Sequence, residues 1–234
     1  MDNAGRARQR VLALFLPIAA VLYISAEALS PKGTDQVATD TATALKLLAI
    51  AAKHPTQLYV AGTCAVLGLG ALAVSYAAIA ALARNRGAAL ATVAALIGGI
   101  GAFCGAIIEV LVFPNLAAAA ATAHTTRGAA AQFLVTTFNS GFGHGFEYAY
   151  FIGIYVAPLL MGVALWRSRA VPRWLAVLFF AGLEVAQQQI SSGPVVILYM
   201  LPFAAAMVLL AARIWQAAAL PASRPQPEPA SVPA

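Results

Sequence analysis

Four carboxylic acids in this sequence stand where a carboxylic acid is expensive. Glu27, Glu109, Glu147 and Glu184 are half of its eight acidic residues, and each falls inside or at the end of a long apolar run. A charge at the centre of a bilayer costs about 2.5–3.5 kcal/mol on the insertion scale, so such groups face a cavity or a partner. Glu109 and Glu184 have apolar neighbours on both sides. Desolvation favours the protonated form of a buried carboxyl, which can then act as a proton donor. An acid set among aromatic rings could protonate an apolar substrate, and ring faces would stabilise the resulting cation. The same protonatable groups would also serve proton-coupled transport.

The residues around the acids fit a polar pocket with aromatic walls. Asn115, Asn139, His144, Gln187, Gln188 and Gln189 supply polar groups, and Phe113, Phe138, Phe142, Phe146, Tyr148, Tyr150, Phe151 and Tyr155 supply rings. Glu109, Glu147 and Glu184 are the candidate catalytic acids. Glu27, Phe113, Phe142, His144, Phe146, Tyr148, Phe151 and Gln187 are the candidate substrate-binding residues. The plainer alternative makes the acids solvated helix ends and the aromatics an interfacial belt. His144 and Glu147, three apart, share a face if helical and could contribute to a metal site. Gly145 between them weakens that reading, and neither a metal nor any other cofactor is assigned.

The elements that must position these residues are membrane helices. Hydrophobic residues make up 62% of the 234 residues and charged ones 9%, against about 25% charged in a soluble domain. There are too few charges to cover a globule in water, so lipid is the expected solvent. No period-two alternation marks a barrel. A net charge of +6 is scattered between apolar runs, without a basic face interleaved with aromatics, which excludes nucleic acid as a partner. Cys64 and Cys104 sit in apolar runs and read as small packing residues, with a disulfide left open.

A spanning helix needs about 20 apolar residues. The expected fold is all-α, a polytopic bundle of six spans over about 11–29, 57–82, 88–113, 145–166, 174–190 and 195–214. The membrane domain is 1–216, and 217–234 is a Pro-rich tail expected to be disordered. Placing both termini in the cytoplasm puts ten of the fourteen Lys and Arg inside, leaving Lys32, Lys46, Lys53 and Arg127 outside. The protein is then a multi-pass protein of the cell membrane with all four acids in its outer half. Arg6, Arg8 and Arg10 before an apolar stretch and Ala26-Glu27-Ala28 also fit a secretory signal. The length of the stretch and Pro17 favour an uncleaved first helix.

Three further features are legible. Residues 41–54 read as an amphipathic helix on the outer interface. The third helix is expected to end at Pro114, and 117–138 is a surface helix, a re-entrant segment or a partial span. Gly141, Gly143 and Gly145 are expected to break the helix before the fourth span. Gly98, Gly99, Gly101 and Gly105 form a smooth face with small-xxx-small spacing, suited to packing within the chain or, alternatively, to a homo-oligomer seam.

In layout the chain resembles small six-span, Ala-rich bacterial membrane proteins of largely unknown function. YISAEALSPKGTD around Glu27 and NSGFGHGFEYAYF before Tyr155 carry that likeness. More faintly, size and intramembrane carboxylates resemble the membrane-bound terpene cyclases of meroterpenoid and indole-terpenoid pathways. That resemblance implies an isomerase-type enzyme protonating a lipophilic prenylated substrate, with Glu109, Glu147 or Glu184 as the acid. No Asp-rich diphosphate motif, P-loop, GxGxxG, G-x-S-x-G, HExxH or Cys-x-x-Cys occurs. A proton-coupled permease or exporter and a non-catalytic membrane subunit are the rival readings. The absence of an internal repeat and of paired broken helices weighs against transport.

Overall fold

The computed structural model describes residues 3–34, 38–83, 85–187 and 195–219, and the side chains of all of these except 3, 85, 111–127, 142 and 187. The described residues form seven α-helices and no strands. These are α1 (Asn3–Leu29), α2 (Thr41–Lys53), α3 (Pro55–Ala80), α4 (Ala88–Phe138), α5 (Gly141–Ser168), α6 (Arg173–Gln187) and α7 (Val196–Ala219). A 3₁₀ turn at Asn85–Gly87 precedes α4.

Five stretches are long and apolar enough to cross a membrane: Ala4–Leu29, Pro55–Ala80, Ala88–Val110, Gly143–Ser168 and Val196–Ala219. The chain is therefore a multi-pass helical membrane protein. The remaining expected span, the fifth at 174–190, corresponds to α6, whose 15 residues reach about 22 Å, short of the roughly 30 Å hydrocarbon layer. Residues 188–190, the end of that expected span, lie outside the described residues, as do 191–194 and the tail from 220 onward.

Six helices close into a ring, with α1 against α3, then α4, α5, α6 and α7, which returns to α1. Buried side chains fill the centre. Leu16, Tyr23, Leu69, Tyr76, Met161, Leu175, Phe179, Phe203 and Leu210 belong to one continuous core. Aromatic rings tie the walls together edge to face, Tyr23 to Phe203 at 6.3 Å and Tyr76 to Phe179 at 6.5 Å between centroids. Lipid tails offer no hydrophobic reward for packing helix on helix, so close backbone approach must supply the contact energy. It does so where α4 crosses α5: Gly101 and Gly153 face each other so tightly that a Cβ on either would overlap the other's Cα.

The structure corrects the expected helix ends. The first helix begins at Asn3 rather than near residue 11, so Arg6, Arg8 and Arg10 are helical, and the Arg10 guanidinium lies 5.7 Å from the Trp215 ring centroid. The third does not stop at Pro114, because helical backbone continues from Ala88 to Phe138; its course is bent, since Gly101 meets Gly153 while Thr137 meets Gly143, only about 15 Å away along α5. A proline removes one hydrogen bond but does not end a helix whose two sides are both anchored. Five consecutive alanines, Ala117–Ala121, favour continuation. The far end of α4 is held by packing on α2. Ala131 and Leu134 bury against Ala44, Leu47, Leu48 and Ala51 in a second, separate core. The segment 117–138 is thus helical and continuous with the third helix, and its end packs on α2 and beside the start of α5.

The expected amphipathic helix is present as α2, one residue shorter than the predicted 41–54, and it lies on α4. The Asp40 side chain caps it by accepting from the Thr43 amide at 2.9 Å and the Thr43 hydroxyl at 2.9 Å. The glycine run does not break the chain as expected. Only Asn139 and Ser140 are non-helical, and α5 already begins at Gly141. Ser140 Oγ accepts from the Gly143 amide at 3.0 Å, and the Asn139 amide group donates to the Thr39 carbonyl at 3.1 Å. Gly143 has a steric role, since a Cβ there would collide with the Thr137 carbonyl at the end of α4.

Candidate functional site

α1 brings Tyr23 and Glu27 onto one face, four residues apart. Tyr23 is 4% exposed and its hydroxyl hydrogen-bonds that of Tyr150 on α5, reaching across the bundle between helices that are not neighbours in the ring. Glu109 of α4 lies within electrostatic reach of both tyrosines and of Glu27. Two carboxylic acids and two phenols from three helices therefore make one polar cluster in an otherwise apolar bundle.

Helix register explains why they meet. Gly105 gives the Tyr150 ring its place, since a Cβ on Gly105 would stand 2.6 Å from the ring's Cδ2. Glu109 is one turn further along that face of α4. Running antiparallel from the Gly101–Gly153 crossing, the same register sets Phe146 level with Glu109. Glu27 is two residues from the end of α1, and Glu109 is brought to its level. The cluster thus lies at the end of the apolar layer, on the side where α2 and the far part of α4 form their separate core.

The other acids occupy different surroundings. His144 and Glu147 do share a face, with Nδ1 to Oε2 at 3.6 Å and side chains 48% and 31% exposed. The His144 ring is also 6.2 Å from that of the exposed Tyr148. Among the described residues no group of three His, Cys, Asp or Glu converges as metal ligands would. Glu184 neighbours Tyr76, whose ring lies against Gly98. Gly98 is eleven residues, about 16 Å, from Glu109 along α4, so Tyr76 marks a second polar position deeper in the bundle. The Tyr76 hydroxyl is buried without a hydrogen-bond partner.

Of the expected binding residues, Glu27 belongs to the cluster itself. Phe151 stacks on Tyr155 at 6.2 Å between centroids, meets Tyr150 at a tilt at 5.8 Å, and is 41% exposed on the outside of the bundle. The side chains of Phe113, Phe142 and Gln187 lie outside the described residues. Cys64 and Cys104 are both free thiols. Sequence reasoning did not single out Tyr23 or Tyr76. The spacing of Tyr23 four residues before Glu27 is a usable signal, whereas Tyr76 becomes visible only once Gly98 is known to face it. Gly98, Gly101 and Gly105 all pack within the chain, and of the four glycines of the expected smooth face only Gly99 borders open space.

Fold and site together define a polytopic helical membrane protein with an acid–tyrosine cluster at one end of its apolar layer. No protein-family model, no curated protein and no solved structure matches the chain.

Proposed function

We propose that the protein is a membrane-embedded enzyme acting on a lipophilic substrate, most concretely an acid-initiated isoprenoid cyclase. The observation that carries this reading is the gathering of Glu27, Glu109, Tyr23 and Tyr150 from α1, α4 and α5. Two neighbouring carboxyl groups in a low-dielectric layer can hold one proton between them. Glu109 is the proposed donor, with Glu27 sharing its proton and the Tyr23–Tyr150 pair fixing their orientation. Protonation of a terminal alkene forms a C–H bond and leaves a tertiary carbocation. A second alkene of the substrate closes the ring by attacking that cation, and loss of a proton to the carboxylate restores the acid. The product is an isomer of the substrate, with no cofactor consumed. The Tyr23 ring, packed edge to face on Phe203, is the proposed π-face for the cation.

The closed ring of helices supports counting α6 as a sixth crossing. The start of α1 and the end of α7 then lie on one side, and the arginines at these ends favour the cytoplasmic side of the cell membrane.

The test is purified protein in lipid nanodiscs, incubated with prenylated substrates and analysed by chromatography with mass detection. A new peak of unchanged mass, absent with heat-killed protein and lost in Glu109→Gln, is the expected result. An isomer peak that survives in Glu109→Gln and Glu27→Gln alike would remove this cluster from the chemistry. One observation favours a second reading, a proton-coupled permease: Glu184 lies within electrostatic reach of Tyr76, whose hydroxyl is buried and unpartnered deeper in the bundle. That reading predicts substrate movement in proteoliposomes that stops when the pH gradient is collapsed.

A further inference from the structure

The opposite end of the molecule carries a feature that the acid–tyrosine cluster does not use. Between α5 and α6 runs an open groove of about 300 Å³, walled by Leu159, Val163, Val177 and Phe180 with Gly162 in its floor. Gly162 creates the depth: a Cβ there would stand 3.2 Å from the Phe180 Cβ. The walls are apolar and exposed, with Val177 half exposed. Such a volume is at the small end for ligand cavities and suits a length of hydrocarbon chain rather than a whole lipid. The groove ends at Trp166, where the Arg173 guanidinium sits 5.1 Å from the ring centroid. That contact holds the guanidinium at the mouth of the groove and leaves its N–H groups free to bind an anion.

Charge selects the occupant. Arg167 and Arg169 are exposed and lie within six residues of Arg173 in the connection from α5 to α6, and the sequence contains no Asp or Glu between Glu147 and Glu184. One guanidinium thus sits at the foot of an apolar groove, two more cations share its short connecting segment, and no acid on that segment neutralises them. We infer that this is a binding site for an anionic phospholipid, with its phosphate on Arg173 and one acyl chain lying along the groove between α5 and α6. Guanidinium recognises phosphate through paired N–H donors, and basic sites between membrane helices are suited to anionic headgroups. Trp166 stands at the level where an amphipathic ring favours the interface.

Native mass spectrometry of the full chain in detergent, titrated with phosphatidylglycerol or phosphatidylcholine of identical chains, tests this. Phosphatidylglycerol should bind roughly fivefold or more tightly, the increment expected per basic residue. Arg173→Gln should bring the two lipids to within about twofold of each other, whereas Arg213→Gln, on α7, should not. Val177→Trp, at a lipid-facing position that tolerates bulk, should fill the groove and weaken phosphatidylglycerol as well. Equal binding of both lipids to the native chain would overturn the proposal. So would an Arg173 effect without any Val177→Trp effect, which would reduce the site to general attraction for a headgroup. Competition by millimolar inorganic phosphate, with no dependence on acyl chains, would identify a free-anion site instead and also overturn it. Isomerisation and transport play no part in the readout, so it is independent of the function proposed above.

Discussion

The ring of Tyr150 occupies the space that a side chain on Gly105 would need, with the nearest ring carbon 2.6 Å from an idealised Cβ at that glycine. This one contact links packing to the candidate site, because the hydroxyl of the same ring binds Tyr23 and lies in reach of Glu109. Gly105→Ala should therefore cost about 1–3 kcal/mol from overpacking and also lower turnover, whichever substrate is used. Gly99→Ala, in open space, should be neutral or stabilise by up to about 1 kcal/mol through helix propensity. Thermal unfolding of the two variants in the same detergent makes the comparison. Equal losses would mean that Gly105 does not position Tyr150.

The two tyrosine hydroxyls should behave as a unit. Tyr23→Phe and Tyr150→Phe each remove the shared hydrogen bond, at roughly 0.5–1.5 kcal/mol apiece. The double variant should lose little more than either single one, as expected for residues that contact one another. Additive losses in a double-mutant cycle would show that the bond contributes nothing to stability.

Tyr76→Phe should go the other way. Its hydroxyl is buried without a partner, and an unsatisfied buried polar group costs about 1–3 kcal/mol. Deleting only the oxygen should leave stability unchanged or raise it, while the ring continues to fill the space beside Gly98. A loss of more than about 1 kcal/mol in equilibrium unfolding would mean that the hydroxyl is satisfied in the membrane, by water or by Glu184.

Acid should loosen α2 before it affects the membrane helices. The backbone amide of Thr43, then its hydroxyl, holds the Asp40 carboxyl below its ordinary value. A carboxyl lowered by folding stabilises the folded form fully above its unfolded value near 3.9. That stabilisation is lost as the pH falls through the lowered folded value. Amide exchange in residues 41–44 should accelerate as the pH drops from about 5 to 3, after correction for intrinsic exchange. Asp40→Asn should retain the cap and abolish the acceleration. An unchanged pH profile in that variant would assign the loosening to another group.

The contact between α2 and the far part of α4 should be separable from the bundle. Leu134 is 3% exposed in the smaller core, and Leu134→Ala should cost that core about 2–5 kcal/mol. Limited proteolysis should then cut near residues 30–55 while the helix ring stays folded. Cleavage at the native rate would show that α2 is held by something other than this packing.

What the sequence by itself determined is whatever a bilayer reads locally. Apolar stretches near 20 residues long, bounded by arginines, are sufficient to place α1, α3, α5, α7 and the first part of α4, because the transfer energy of each segment is nearly independent of its neighbours. The same is true of α2, where Asp40 and the apolar face of Thr41–Lys53 are local signals. The scarcity of acids marked Glu27, Glu109, Glu147 and Glu184 as worth attention. Only the tertiary structure decided which of them meet. Glu27 and Glu109 are 82 residues apart, and nothing local says that α1, α4 and α5 converge through Tyr23 and Tyr150. That convergence depends on the Gly101–Gly153 crossing, which sets the register of α4 on α5. The course of α4 past Pro114 was decided in the same way. A local rule counts the hydrogen bond a proline removes, but the distant packing of Ala131 and Leu134 on α2 determines whether the helix continues.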